Sequence, residues 1–382
     1  IMGISLKKVG KNKKVKVSEY NIEDKEEDKH RFAGFTLDTA GKGIFTSKYG
    51  LFSFDGVRKA EVRPSTSLGA LNFEIKGTKH YLPFQRVSFL NAFFFLISHF
   101  FWSAFISTKI DNYTNKSSII FTRSEWIFYF LSLKKRRVVY ECHQLSKLKK
   151  IIIPKALKSK NSKVIFLNEN IKKDLNLVNE LSNRTTVIHN GVDEELFLKT
   201  DKKKEKNKII FVGNLERFNK PRDLNFVIES FKEKLIDEKY TFSIIGGPTK
   251  KADELRSYIN DNQLQNSITV HGPMSHKDTI DFIKSSDLGL LINSSDNLHS
   301  YSFTSPLKYF EYLYGECKIL AVDFPAHNTL PFSENISFFK ENDQISFIDA
   351  LNKCDHIKRL TKANLKNITM TARVEKIIEF IH

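Results

Sequence analysis

Cysteine is scarce in this chain. Cys142, Cys317 and Cys354 lie far apart, which excludes a disulfide scaffold and a thiolate metal cluster and suits a reducing compartment. No His, Asp or Glu constellation with metal-ligand spacing takes their place. The N-terminal run IMGISLKKVGKNKKVKV is basic but has no apolar core, so it lacks the pattern of a secretory signal. Both absences point to the cytoplasm. Long apolar runs are nearly missing too. The segment closest to a membrane span, FLNAFFFLISHFFWSAFIS (89–107), is interrupted by Asn91, Ser98, His99 and Ser103. It reads as a helix that is either buried in a core or laid in a membrane interface, with nearby Lys and Arg meeting headgroups. Basic and aromatic residues do not interleave as binders of single-stranded nucleic acid require, so no nucleic-acid partner is expected.

Positive charge, in contrast, is abundant and uneven. The formal net charge is +17. Residues 1–200 hold 35 Lys and Arg against 19 Asp and Glu, a surplus of 16, whereas residues 201–382 hold 26 against 25. A basic half ahead of a neutral one suits an anionic surface such as phospholipid or glycolipid headgroups, although solubility alone also accounts for it. A length of 382 residues with 41% apolar content is enough for two or three packed domains.

From about residue 117 onward, strand and helix patterns alternate, which indicates parallel α/β sheets. SSIIFT (117–122), VVYEC (138–142), KVIFLN and TTVIHNG read as strands, with helical patterns at EWIFYFLSL and NIKKDL. The run KTDKKKEKNK (199–208) has no apolar residue and reads as a linker. The alternation then restarts. KIIFVGN, TFSIIGG, SITVHG, DLGLLIN and KILAVDF read as strands, separated by RDLNFVIESFKEKL, ADELRSYIND, HKDTIDFIKSS and SPLKYFEYLY as helices. The expected division is a domain over 1–198, a linker over 199–208, a second domain over 209–365 and a last helix within 366–382. Two doubly wound units would hold a ligand in the cleft beyond the carboxyl ends of their strands. Before residue 115 the pattern is weaker: KKVKV reads as a short strand and GFTLDTAGKGIFTSKYG (34–50) as a glycine-bearing loop.

Residues 304–326, TSPLKYFEYLYGECKILAVDFPA, raise a question of charge. Ser305 reads as an N-cap and Pro306 as the first helical residue. Lys308 then falls in the first turn, where a cation is misplaced unless an anion binds at the free backbone N–H groups. Glu311 lies among Phe310, Tyr312 and Leu313. It is either a half-buried carboxylate that accepts hydrogen bonds from paired hydroxyls, as on a ribose, or a surface residue paired with Lys308 at i, i+3.

The order of these motifs resembles the retaining family 4 glycosyltransferases of GT-B fold. The pieces that carry the resemblance are VVYECHQL, VIFLNENIKKDL, TTVIHNGVDEELF, IIFVGNLERFNKPRDLNFVIESF, FSIIGG, ITVHGPMSHKDTIDFIKSSDLGLLI, SPLKYFEYLYGECKILAVDFPA and MTARVEKIIEFI. It runs from about Ile119 to the C-terminus and is densest over 187–331. The resemblance implies two Rossmann-like doubly wound domains facing across a cleft, with the acceptor on the first, the nucleotide-sugar donor on the second, and a final helix that crosses back to the first. It implies hexosyl transfer with retained configuration, without metal or cofactor.

Residue by residue, Glu311 matches the second Glu of the family's Glu-x7-Glu motif, which would bind the ribose hydroxyls. Ser305, Pro306 and Leu307 would open the helix that faces the diphosphate, and Lys308 would add charge there. The motif's first Glu falls on Phe303, a departure shared with a subgroup carrying Ser-Pro-Leu-Lys. The family's Arg after Gly213 is Asn214 here, and its Lys falls on Asn219. Arg217 or Lys220 would then supply the cation that a departing diphosphate needs, unless both are simply solvated. His143 matches a His near the reacting sugar, although a lone His after a strand is more often structural. Val270, His271 and Gly272 match a stretch that cradles the base edge through backbone groups. Gly41 and Gly43 are weaker candidates for a phosphate-approaching loop, and Gly191 reads as a tight turn.

The resemblance implies an enzyme that builds a bacterial surface glycan or lipopolysaccharide on a glycan or lipid-linked acceptor at the cytoplasmic membrane face. Two alternatives stay open. One is a nucleotide-sugar epimerase of the same fold, which would need acid–base residues beyond His143. The other is a non-catalytic binder of anionic membrane or nucleic acid, which the departures at Phe303 and Asn214 allow.

Overall fold

The structure, a computed structural model, describes residues 35–37, 43–47, 50–63, 70–81, 91–112, 114–198, 202–217, 220–222 and 224–382. The chain divides into two compact units, residues 1–188 with 374–382, and residues 189–373.

The first unit contains two sheets. Strands β1 (Phe35–Leu37), β2 (Gly43–Ser47), β3 (Gly50–Arg63) and β4 (Ala70–Tyr81) pair antiparallel in chain order. This corrects the loop expected over 34–50, where FTL and GIFTS are rich enough in β-formers to pair, Phe35 opposite Phe45. The KKVKV strand lies outside the described residues. After α1 (Asn91–Lys109) a parallel α/β series follows: β5 (Ile120–Thr122), α2 (Glu125–Leu133), β6 (Val138–Cys142), α3 (Lys147–Leu157), β7 (Ser162–Phe166), α4 (Glu169–Leu175), α5 (Asn179–Ser182) and β8 (Thr185–Val187). Its sheet order is β5-β6-β7-β8. Each helix after a strand has a built start. The Ser124 hydroxyl accepts from the Ile127 N–H, Ser146 from Lys149 and Asn168 from Asn170. Alternation along β6 separates the two faces of the sheet. Tyr140 stacks on Phe128 of α2, while Val139 joins Phe121, Ile165, Ile377 and Ile381.

The second unit is wound on both sides of one sheet. Its elements are α6 (Glu194–Leu198), β9 (Glu205–Val212), the two-residue strands β10 (Glu216–Arg217) and β11 (Lys220–Pro221), α7 (Asn225–Lys232), β12 (Thr241–Ile245), α8 (Thr249–Asp261), β13 (Ile268–Gly272), α9 (His276–Ser285), β14 (Ser286–Leu291), α10 (Leu307–Tyr314), β15 (Lys318–Val322), α11 (Pro325–Asn328), β16 (Ile336–Phe339) and α12 (Gln344–Lys353), and a last helix, α13 (Met370–Ile381), starts in this unit and belongs to the first from Val374 on. All six main strands are parallel, in the order β13-β12-β9-β14-β15-β16. Every residue of β14 is buried, as befits a central parallel strand. The order reverses between β9 and β14, the place where open α/β sheets hold their ligands.

The charged run 199–208, expected as the linker, falls inside the second unit. Lys204 Nζ donates to the Gly315 carbonyl at 2.6 Å, the Asn207 N–H donates to Asp287 at 2.8 Å, and β9 has already begun at Glu205. The chain changes unit instead at Ile188/His189 and Arg373/Val374. Just inside the second unit Val192 bridges Thr369, and the Met370 N–H donates to the Val192 carbonyl at 2.7 Å. A Cβ on Gly191 would stand 2.9 Å from the Thr369 oxygen. This close approach selects glycine there, not a tight turn.

Candidate active site

In the second unit the chemistry gathers at the carboxyl ends of β9, β13 and β14 and on α10. Glu311 is buried, with 7% of its surface exposed. Its two oxygens have separate partners: His276 Nε2 lies 2.9 Å from Oε1, and Lys308 Nζ donates to Oε2 at 2.6 Å. Burial alone would raise the carboxyl pKa. The Lys308 ammonium and the His276 contact outweigh it and bring the pKa down to about 2, so Glu311 is an anion at neutral pH. The pairing with Lys308 at i, i+3 thus forms, but on a buried carboxylate. A carboxylate has about four acceptor sites, which leaves room for further hydroxyl donors.

α10 is positioned from beneath by its own aromatics. The Tyr312 hydroxyl accepts from the Val212 N–H at the end of β9, at 2.8 Å. Its ring lies so close to β14 that a Cβ on Gly289 would meet it at 2.5 Å. Ser305 does not cap this helix. Pro306 occupies the N-cap position, no side chain caps it, and the helix starts at Leu307. The Ser305 hydroxyl instead accepts from the Asn190 N–H at 3.3 Å, and Asn190 Nδ2 donates to the Ser305 carbonyl at 2.6 Å. Phe303, where the motif's first Glu would fall, is buried at 4% exposure in the turn His299–Phe303.

At the carboxyl ends of β9, β12 and β13 backbone meets backbone at close quarters. The Gly213 N–H donates to the Ile245 carbonyl at 3.0 Å, and a Cβ on Gly246 would fall 1.7 Å from the Gly213 oxygen. Gly272 has φ +77°, a left-handed conformation that favours glycine. Asn214 is exposed, and Arg217 pairs with Lys220 across the β10–β11 ladder. Asn219 and Gly41 lie outside the described residues. Gly43 is the first residue of β2, opposite Phe54 and Leu37, so it is part of a strand and not of a loop. His271 packs its ring on Phe282 at 4.4 Å, and burial, then Lys208 and Arg256, lower its pKa.

Two residues that the motif reading did not single out join the site. His276 opens α9, 35 residues before Glu311, and only the fold brings it there. Arg222 donates through Nη1 to the Ile292 carbonyl at 2.6 Å and to Asn293 Oδ1 at 3.1 Å, at the carboxyl end of β14. Asn293 in turn contacts buried His327, whose Nδ1 meets the Val322 carbonyl at 2.7 Å. Arg222 thus places a guanidinium where the strand order reverses. The positive residue after Pro221 is visible in the sequence, but its position on β14 is not.

In the first unit His143 follows β6. Arg123 Nη2 lies 2.7 Å from its Nδ1, and Nε2 lies 3.2 Å from buried Glu141. Because the guanidinium only donates, Nδ1 accepts and the ring proton sits on Nε2, facing the carboxylate. Among the described residues, no group of three or more His, Cys, Asp or Glu is placed to hold a metal.

Residues 192–297 match the family described as Glycosyl transferases group 1. No curated protein matches the chain by sequence. Among solved structures, the chain is similar to Alr3699/HepE of Anabaena in complex with UDP, at 15% identity and a TM-score of 0.54, over 73% of this chain and 81% of that one. It is similar to the lipopolysaccharide outer core galactosyltransferase WaaB, at 11% identity and a TM-score of 0.53, over 76% and 80%. It is also similar to an α,α-trehalose 6-phosphate synthase of Burkholderia multivorans, at 10% identity and a TM-score of 0.54, over 85% and 88%. The fold is therefore GT-B, and residues 192–297 within it carry the match to the group 1 glycosyl transferases.

Proposed function

We propose that the chain transfers a sugar from a nucleoside-diphosphate sugar to a glycan or glycolipid acceptor, with retention of configuration and no metal, in the assembly of a bacterial surface polysaccharide. In this reading the second unit binds the donor. Glu311 accepts from the ribose hydroxyls, and Leu307 and Lys308 at the start of α10 face the diphosphate. Gly213 and Gly272 let the backbone approach the nucleotide, with His271 beside the base. Arg222 joins Arg217 and Lys220 as a source of positive charge for the departing diphosphate, in place of the missing residue at Asn214. His143 acts on the first unit as a neutral imidazole.

One observation carries the reading. A buried carboxylate, ionised at neutral pH, sits on the helix that follows β14, where the strand order reverses. The UDP bound in the Anabaena neighbour agrees with a nucleoside diphosphate at such a place. The test is a thermal-shift panel of UDP, GDP, ADP and dTDP. At a hundredfold excess over Kd the correct nucleotide stabilises the protein by about 2.7 kcal/mol, and Glu311→Ala removes the shift. If none of them shifts the wild type, the proposal fails. NMR of the product's anomeric configuration then checks retention.

A further inference from the structure

We propose that the outward surface of α1 and α2 is a docking face for an anionic lipid bilayer, on which the first unit lies without crossing it. The two helices run side by side in the same direction. His99 Nε2 meets Ser124 Oγ at 2.8 Å at the start of α2, and Lys134 Nζ reaches the Ser107 carbonyl at 2.7 Å at its end. The described side chains of α1, from Ile97 on, are packed inside out. Its buried side carries His99, Ser103 and Ser107 alongside Ile106 and Ile110, while Ile97, Phe101 and Phe105 stand 39%, 65% and 52% exposed. These three are spaced four apart and form one stripe. A helix that served only a water-soluble core would turn the opposite side inward.

α2 extends the stripe. Phe100 meets Trp126 at 4.7 Å and Phe130 at 5.4 Å, both half-buried, and Leu133 is 62% exposed. Aromatic side chains of this kind favour the level of lipid headgroups. At the carboxyl ends of both helices Lys109, Lys116, Lys134 and Lys135 are exposed. The acidic residue among them, Asp111, is paired with Arg136 and Lys134, so the rim remains positive. An apolar stripe bordered by lysines is the arrangement of a helix lying in an interface, with the cations on anionic headgroups. No helix among the described residues is long and apolar enough to cross a membrane. A second copy of the chain is the poorer occupant, because it would bring like charges together.

Trp126 of α2 lies against Phe100 in this face, so its fluorescence reports contact. The test sediments the full chain with phosphatidylcholine vesicles, with and without phosphatidylglycerol, at low and high salt. The chain should sediment with the anionic vesicles, less so in high salt, and brominated acyl chains should quench its fluorescence. Phe101→Ser with Phe105→Ser should lower partitioning by about tenfold or more. Lys109→Gln, Lys116→Gln and Lys135→Gln should each lower it by about fivefold. Unchanged melting temperatures and nucleotide shifts in these variants would show that the fold persists, so the outcome is separate from that of the donor reading. Absence of binding to anionic vesicles, or binding that survives the double serine change, overturns the proposal. So does a dimer in light scattering that the serines dissolve, which would assign the face to a second copy.

Discussion

Replacing Glu311 by Gln keeps the size of a buried side chain and removes its charge. In the folded protein the carboxyl falls from an ordinary 4.5 to about 2. At roughly 1.4 kcal/mol for each tenfold change in proton affinity, that difference amounts to about 3 kcal/mol at neutral pH. The folded value lies below the unfolded one, so the stabilisation is fully present above about pH 4.5. It drains away as the pH falls and is gone near pH 2. Glu311→Gln should therefore be less stable than the wild type by about 3 kcal/mol at pH 7, and the gap should narrow steadily between pH 4.5 and 3. Urea unfolding followed by circular dichroism at stepped pH measures this, read on the transition of the second unit. A gap that stays constant across the range would falsify the electrostatic account and leave only packing. A missing gap at pH 7 would mean that Lys308 and His276 do not hold the carboxylate as described.

Three further outcomes follow from buried groups of the same unit. His327 is held neutral by burial, against the Val322 carbonyl, and its pKa falls to about 4. Its contribution is present above about pH 6.5 and lost as the pH drops toward 4, so His327→Gln should flatten the acid slope of stability in that window, which thermal melts at stepped pH would show. Tyr312→Phe leaves the Val212 N–H at the end of β9 without its acceptor and should cost about 1–3 kcal/mol in chemical denaturation. Gly289→Ala forces a methyl into the Tyr312 ring and should cost about 1–3 kcal/mol, with hydrogen exchange faster in α10.

The α/β series from Ile119 onward could be read because buried parallel strands are continuous apolar runs such as VVYEC and KILAV, and the helices between them repeat at 3.6 residues. The strand ISFF at 336–339 and the helix at 344–353 left no comparable trace, since a four-residue strand has no period. The start of α10 was misread for a long-range reason. The Ser305 hydroxyl has a competing partner, the Asn190 N–H, 115 residues away in the chain. For the same reason Lys308 could be paired with Glu311 from spacing alone, whereas His276 and Arg222 could not be placed. Local charge rules see one turn of helix, and these two residues arrive through the order of the strands.

Ile377 and Ile381 of α13 cover the side of the first unit's parallel sheet that carries Phe121, Val139 and Ile165, yet the whole second unit, residues 189–373, separates them from that sheet in the chain. During translation that apolar side stays bare until the second unit has emerged. A premature stop within α13 would thus damage a sheet made well before it, and the nascent chain has reason to need a chaperone over that sheet while residues 189–373 are being synthesised.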